Sequence, residues 1–244
     1  MSILVCIPAR LSATRLPNKP LADIHGAPMI VRVMHQAQKA NVGPVIIACC
    51  GEEIKNAVEA HGGIAVLTHP DLPSGTDRVF AALKAYDDEK KYKHIINVQG
   101  DLPLVNPSDI KTLAQFMLGS EYDMMTLAAP FTNEEDKANP NIVKIAMKDI
   151  GVGDKTRAHY FSRSPIPNGA ATAYHHIGIY GYTRHVLERF IKLKPSYLEI
   201  TEKLEQLRAI EAGIKIDVVS VDAVPQSVDT LEDLENVRRM MDTA

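Results

Sequence analysis

Three short apolar runs, at residues 3–7, 45–49 and 64–67, and a fourth strand-like stretch at 94–98 alternate with segments whose apolar residues recur at helical spacing. A continuous apolar run suits a strand buried on both faces, as in a parallel sheet covered by helices. Met29, Ile30, Val33, Met34 and Ala37 give the first intervening segment one apolar face. Pro28 suits the first position of that helix, and Gly43-Pro44 ends the unit. A polar helix follows over 52–61, stopped by Gly62-Gly63. Another spans 77–86, after a loop over 68–76. Asn106 can cap a further helix that Pro107 opens. The alternation predicts an α/β fold built on a parallel sheet.

Residues 123–129 read as another strand, after which the pattern changes. The stretch 133–140 is polar and punctuated. Strands are expected over 141–147 and 174–182, with 157–167 between them and a loop at Asn168-Gly169. This region fits a small subdomain or dimerisation arm. A long helix is expected over 197–212, with Leu204, Leu207 and Ile210 on one side and Gly213 as its cap. A last strand over 215–221 and a closing helix over 230–241 complete the chain. The 244 residues are enough for one large domain. Its halves would be 1–130 and 131–244.

The first strand is expected to break at Pro8 into a loop carrying Arg10, Arg15 and Lys19. In open α/β sheets, ligands sit beyond the carboxyl ends of the strands. Three cations there suit a triphosphate, since Arg offers a planar fork to phosphate oxygens and Lys a point charge. The same residues also fit an ordinary basic surface loop. No Walker motif is present. Asp101 follows the fourth strand, behind Gly100, where it could hold Mg²⁺ against phosphates or simply bond its own turn. Asp229 stands at a helix start and reads first as a cap, although a capping residue can also ligate a metal. Ser74-Gly75-Thr76 leads into a helix N-terminus, a place that binds anions. Arg78 and Arg163 could grip a substrate carboxylate or form surface ion pairs. His176 and Tyr180 fall on one face of their strand, with His175 on the other.

The net charge of −3 argues against binding nucleic acid by bulk charge. No apolar run reaches the length of a membrane span, and no signal peptide is read at the start. The three cysteines, Cys6, Cys49 and Cys50, show no disulfide or zinc spacing, so free thiols in the cytoplasm are expected.

Taken together, several stretches resemble the 3-deoxy-manno-octulosonate (Kdo) cytidylyltransferases. They are Ile7-Pro8-Ala9-Arg10, Thr14-Arg15-Leu16-Pro17, Ser74-Gly75-Thr76, Gln99-Gly100-Asp101, Tyr160-Phe161-Ser162-Arg163, Gly178-Ile179-Tyr180-Gly181-Tyr182, Leu204-Glu205-Gln206-Leu207-Arg208 and Val228-Asp229-Thr230. The resemblance implies a nucleotide-diphospho-sugar transferase fold. This is a three-layer α/β/α sandwich with a mostly parallel mixed sheet and a small dimerisation arm. It implies a homodimer that acts on CTP and an acid sugar, with Mg²⁺, for lipopolysaccharide biosynthesis. By motif position, Pro8, Ala9, Arg10, Arg15, Lys19, Ser74, Gln99 and Gly100 would hold CTP. Asp101 and Asp229 would hold the metal and, with Lys19 and Arg15, carry the catalysis. Arg78, Gln99, Arg163, His176, Tyr180, Glu205 and Gln206 would line the sugar pocket.

The chain departs from the family pattern where Leu102 and Cys50 replace acids, and where Asn18 replaces a glycine. Asn18 is mild, because asparagine tolerates left-handed backbone angles. The segment 168–174 is short for the family arm. These departures keep open a modified sugar, such as 8-amino-3,8-dideoxy-manno-octulosonate. A catalytically silent nucleotide-binding regulator is a further alternative.

Overall fold

The computed structural model describes residues 2–11 and 15–242. Thr14 of the Thr14-Arg15-Leu16-Pro17 motif lies outside the described residues. The chain divides into two compact units, Met1–Lys111 with Pro225–Ala244, and Thr112–Val224.

The first unit contains β1 (Ile3–Ala9), β2 (Asp23–Ile24), β3 (Ala27–Pro28), α1 (Met29–Lys39), β4 (Val45–Cys49), α2 (Glu52–Ala60), β5 (Ile64–Leu67), α3 (Gly75–Tyr86) and β6 (His94–Asn97). Its main strands run in the order β5-β4-β1-β6, with every pair parallel. Leu4 to Ile7 and Ile46 to Cys49 have no exposed surface, which accounts for their unbroken apolar runs. The chain winds outward from β1 to β4 and β5, then returns to β6 on the other side of β1. That reversal makes a crevice beyond the carboxyl ends of β1 and β6.

The expected break at Pro8 is corrected, because β1 continues through Pro8 to Ala9, with Pro8 opposite Ala48. Val5 donates its N–H to Pro44 on the β4 side. Alternation along the strand therefore points the Pro8 nitrogen to the other side. There the ladder has already ended at Cys6 and Asn97, so no hydrogen bond is lost.

α4 (Pro107–Gly119) leads the chain into the second unit. Asn106 caps it as expected, its side chain accepting from the Ser108 N–H at 3.0 Å. Then follow β7 (Met124–Pro130), α5 (Glu134–Ala138), β8 (Lys144–Met147), β9 (Lys155–Ser162), β10 (Tyr174–Thr183), α6 (Arg184–Phe190), α7 (Tyr197–Glu202), α8 (Gln206–Glu211) and β11 (Ile216–Ser220). These strands run β10-β7-β11-β9-β8, and β8 also pairs with β10, closing the set on itself. Only β7 and β11 are parallel in this unit among the described pairs.

Residues 157–162, between the two strands expected here, belong to β9. One expectation for this unit is corrected. The helix expected over 197–212 is two short helices, broken at Lys203 with φ at 55°. One straight helix would put Tyr197 and Ile200 on the face of Leu204 and Leu207. The break lets Leu204 and Leu207 enter the core while Tyr197 and Ile200 stay exposed.

The closing helix α9 (Leu231–Asp242) belongs to the first unit. Val228, Leu234 and Val237 pack on Ile24 and Met29. This packing brings Asp229 back beside the loop that follows β1.

Candidate active site

A cavity of about 440 Å³ opens in the first unit at the crevice beyond β1 and β6. Its lining includes Pro8, Ala9, Arg10, Arg15, Lys19, Ser74, Arg78, Gln99, Gly100, Asp101 and Asp229, all expected site residues. Pro20, Leu72, Pro73 and Gly75 also line it. Nothing in the sequence marks Leu72 and Pro73 as more than loop residues.

The turn after β6 approaches β1 closely. A Cβ on Gly100 would lie 2.6 Å from the Pro8 carbonyl oxygen, so only glycine fits there and Asp101 is set at the cavity wall. On the other side, Asn18 adopts the left-handed conformation, φ 55°, and opens a 3-10 turn over Lys19–Leu21. This tight turn sends the Lys19 side chain inward.

The Lys19 ammonium donates to Asp101 Oδ2 at 3.1 Å, Asp229 Oδ1 at 3.0 Å and the Val228 carbonyl at 2.9 Å. All three of its protons are committed. Arg15 reaches the second oxygen of Asp229 at 3.1 Å. Two carboxylates distant in sequence thus converge on one cationic centre. Among the described residues no group of three metal-ligating side chains occurs. Mg²⁺ commonly takes one or two carboxylates and completes its shell with substrate phosphates and water. Asp101 and Asp229 fit that donor set.

The cap reading of Asp229 is resolved by its neighbours. Thr230 Oγ1 accepts from the Asp233 N–H at 3.2 Å, while Asp233 Oδ2 accepts from the N–H groups of Asp229 and Thr230 at 3.0 and 2.9 Å. Thr230 and Asp233 therefore cap α9, and the Asp229 carboxylate is left for Lys19 and Arg15. The Thr-x-x-Asp spacing was the available signal for this arrangement.

Ser74 caps α3, accepting from the Asp77 N–H at 3.1 Å. Arg78 is buried and braces the loop after β5. It donates to Thr68 Oγ1 at 2.6 Å and to the carbonyls of His69 and Pro70 at 3.1 and 3.2 Å.

In the second unit the structure gathers His176, Tyr180 and Phe161. The His176 ring lies 5.1 Å from Phe161 and 5.4 Å from Tyr180, centroid to centroid. Burial, with the charge of His175, pushes the His176 pKa down to about 3, so its imidazole is neutral. Burial raises the Tyr180 phenol well above its ordinary value, and the neighbouring Tyr182 and the Glu205 charge add to the rise. Thr126 Oγ1 lies 3.1 Å from His176 Nε2 and within 3.0 Å of the carbonyls of Ile177 and Ile179. A hydroxyl beside two carbonyls must donate to one of them, so it receives the proton of His176 Nε2. Thr126 was missed, since a lone threonine in an apolar strand gives no signal. Gln206 is buried at the start of α8, beside Glu205. Arg163 follows β9 and bonds to Glu202 and Pro140.

Leu102 is buried and Cys50 is half-buried, and neither lines the cavity. Cys6, Cys49 and Cys50 are free thiols, as expected.

Residues 4–216 match the family model described as cytidylyltransferase. A Rhodopseudomonas palustris protein named 3-deoxy-manno-octulosonate cytidylyltransferase is 50% identical over 238 residues, 98% of this chain and 97% of its own. A protein of the same name from Parvibaculum lavamentivorans is 53% identical over 235 residues, covering 96% of this chain and 91% of its own. A solved structure of a CMP:2-keto-3-deoxy-manno-octonic acid synthetase complexed with CTP superposes with a TM-score of 0.91 at 38% identity. That match covers 100% of this chain and 99% of the other.

Proposed function

The chain belongs to the cytidylyltransferase family, and from that premise we propose that it joins the CMP group of CTP to Kdo. The anomeric hydroxyl oxygen of the sugar attacks the α-phosphorus of CTP. A new P–O bond forms, the bond from that phosphorus to the α,β-bridging oxygen breaks, and pyrophosphate leaves with its electron pair. The hydroxyl proton passes to solvent. No protein nucleophile takes part.

In this reading, the chain supplies position and charge. Arg10 and Arg15 hold the triphosphate, with Pro8, Ala9, Ser74, Gln99 and Gly100 around the nucleotide. Lys19 sets its ammonium against the charge that builds on the departing pyrophosphate. Arg78, Gln99, Arg163, His176, Tyr180, Glu205 and Gln206 bind the acid sugar. Asp101 and Asp229 would hold Mg²⁺, which, when bound, supplies charge neutralisation at the phosphates and acidifies a bound hydroxyl. The single observation that carries the proposal is the convergence of Asp101, Asp229 and Lys19 in a cavity also lined by Arg10 and Arg15.

The family resemblance also supports a homodimer in the cytoplasm whose product feeds lipopolysaccharide biosynthesis. Kdo is preferred over its 8-amino analogue because the curated relatives carry the Kdo name. Leu102, one ground for the analogue, lies in the core and not on the cavity wall.

The test is pyrophosphate release from CTP with and without Mg²⁺, offering Kdo, 8-amino-Kdo and a sialic acid in parallel. Mg²⁺-dependent release with Kdo as the best substrate is expected. Release favouring the amino sugar would overturn the choice of sugar. Silence with all three, from folded protein that binds CTP, would overturn the reaction.

A further inference from the structure

We propose that Glu202 is a positioning residue that fixes Arg163 for the acid sugar, with Lys144 holding the same residue from its carbonyl side. The inference rests on the reading of Arg163 as a sugar-binding residue.

Arg163 is tied down at four atoms. Its N–H donates to Glu202 Oε2 at 3.3 Å, and its Nε donates to the Glu202 carbonyl at 3.3 Å. Its Nη1 donates to the Pro140 carbonyl at 3.1 Å. Its own carbonyl accepts from Lys144 Nζ at 2.8 Å. Lys144 is fully buried and spends its other protons on the carbonyls of Asn139 and Ile142, at 2.5 and 2.9 Å. One ammonium therefore ties the turn that carries Pro140 to Arg163.

The chemistry of these partners matters. Among the described residues, the guanidinium is held only by carbonyl oxygens, which orient it without neutralising its charge. The Glu202 carboxylate does not touch it. That carboxylate accepts instead from the Ser162 hydroxyl, at 3.0 and 3.1 Å, and from the Arg163 backbone. Nε and Nη1 are anchored, and Nη2 keeps its protons for an anion such as the sugar carboxylate. An arginine ordered in advance spares the ligand the entropy cost of ordering it. Glu202 also ends α7, and the left-handed Lys203 follows it, just before Glu205 and Gln206. The one side chain thus joins the Tyr160-Phe161-Ser162-Arg163 strand end to the segment carrying two of the other expected sugar contacts, Glu205 and Gln206.

The test compares Glu202→Ala, Glu202→Gln, Arg163→Ala and the Glu202→Ala/Arg163→Ala double variant. Sugar KM, CTP KM and kcat are measured, together with amide exchange across residues 160–164. Glu202→Ala is expected to raise the sugar KM about tenfold, with CTP KM and kcat little changed. Glu202→Gln, which keeps an acceptor, should recover most of that loss. The double variant should be no worse than Arg163→Ala alone, because Glu202 acts through Arg163. Multiplicative losses, or equal losses for sugar and CTP, would overturn the proposal. Exchange reports the clamp itself, and unchanged rates in Glu202→Ala would show that no clamp exists. Faster exchange together with an unchanged sugar KM in Arg163→Ala would instead sink the sugar-binding reading of Arg163. If Glu202→Ala does not fold, Glu202→Gln decides, with about a threefold rise in sugar KM expected and none overturning.

Discussion

The rings of His176 and Tyr180 lie 5.4 Å apart, centroid to centroid, although the two residues stand four positions apart on β10. A regular strand would separate such positions by about 13 Å. The ladder accounts for the difference. Ile177 pairs with Leu127 and Tyr180 with Thr126, so Gly178 and Ile179 bulge out of register. A bulge of this kind re-aims side chains next to functional sites. Here it brings together two residues that the rise of a regular strand would hold apart.

Thr126 holds that bulge, since its hydroxyl lies within 3.0 Å of the carbonyls of Ile177 and Ile179. Thr126→Val keeps the shape and leaves those acceptors without their donor. We expect a loss of about 1–3 kcal/mol in urea unfolding. The sugar KM should rise while the CTP KM holds. A variant as stable as the parent, with both constants unchanged, would show that the bulge needs no such support.

Lys19 serves three acceptors around a single nitrogen, at 2.9 to 3.1 Å. Lys19→Ala should lower kcat by about 10²- to 10³-fold, the scale of losing one stabilising group in a closed site. Lys19→Arg should not restore it, because a planar fork cannot place its donors on three acceptors set around one point. Recovery by arginine would mean that only the charge matters.

Asp233 links acid stability to the site. Its burial favours the neutral carboxyl, but hydrogen bonds from the Asp229 N–H and from the hydroxyl and N–H of Thr230, with the Arg15 charge nearby, hold its pKa below the ordinary 3.8. A depressed carboxyl contributes stability above its unfolded pKa and loses it as pH falls through the lower folded value. Asp233→Ala should cost about 1 kcal/mol at neutral pH, typical of a lost cap. That difference should shrink as pH drops below the ordinary value. A difference independent of pH would remove the carboxylate from the account.

His175 and His176 predict a second pH effect. Burial pushes their pKa values down to about 4 and about 3, from 6.5. Between 6.5 and those values the unfolded chain takes up protons that the folded chain refuses, so stability falls as pH falls. Each group contributes at most about 1.4 kcal/mol per pH unit in that window. His175→Asn and His176→Asn should each flatten the slope between pH 6.5 and 4, measured by urea unfolding at several pH values. A slope unchanged by both substitutions would refute the assignment.

Much of the first unit was legible in the sequence because its signals are local. β4 lies where its apolar run predicted and is buried throughout, since continuous burial writes itself as continuous apolar residues. β5 also lies where its run predicted, but it is the edge strand and leaves Ile64 and Leu67 exposed, so its apolar run does not report burial on both faces. Ser74 and Asn106 act as caps, and Asn18 takes the left-handed turn that its short polar side chain tolerates. The strand at Lys155–Ser162 was obscured by its mixed polar composition, with Lys155, Arg157 and His159 alternating with Thr156, Ala158 and Tyr160. The split of the helix at Lys203 carried no glycine or proline to announce it.

By itself, the sequence determined the alternation that builds the parallel sheet and the cationic loop at the end of its first strand. Both follow from residues adjacent along the chain, whose spacing decides which face is buried. Only the tertiary structure decided that Lys19 would meet Asp101 and Asp229, partners 82 and 210 positions away. It also decided that Thr230 and Asp233 would take the cap and free the Asp229 carboxylate, and that Glu202 would reach Arg163. Such contacts depend on how the backbone returns through space. A carboxylate looks the same in sequence whether it will face water, cap a helix or share an ammonium.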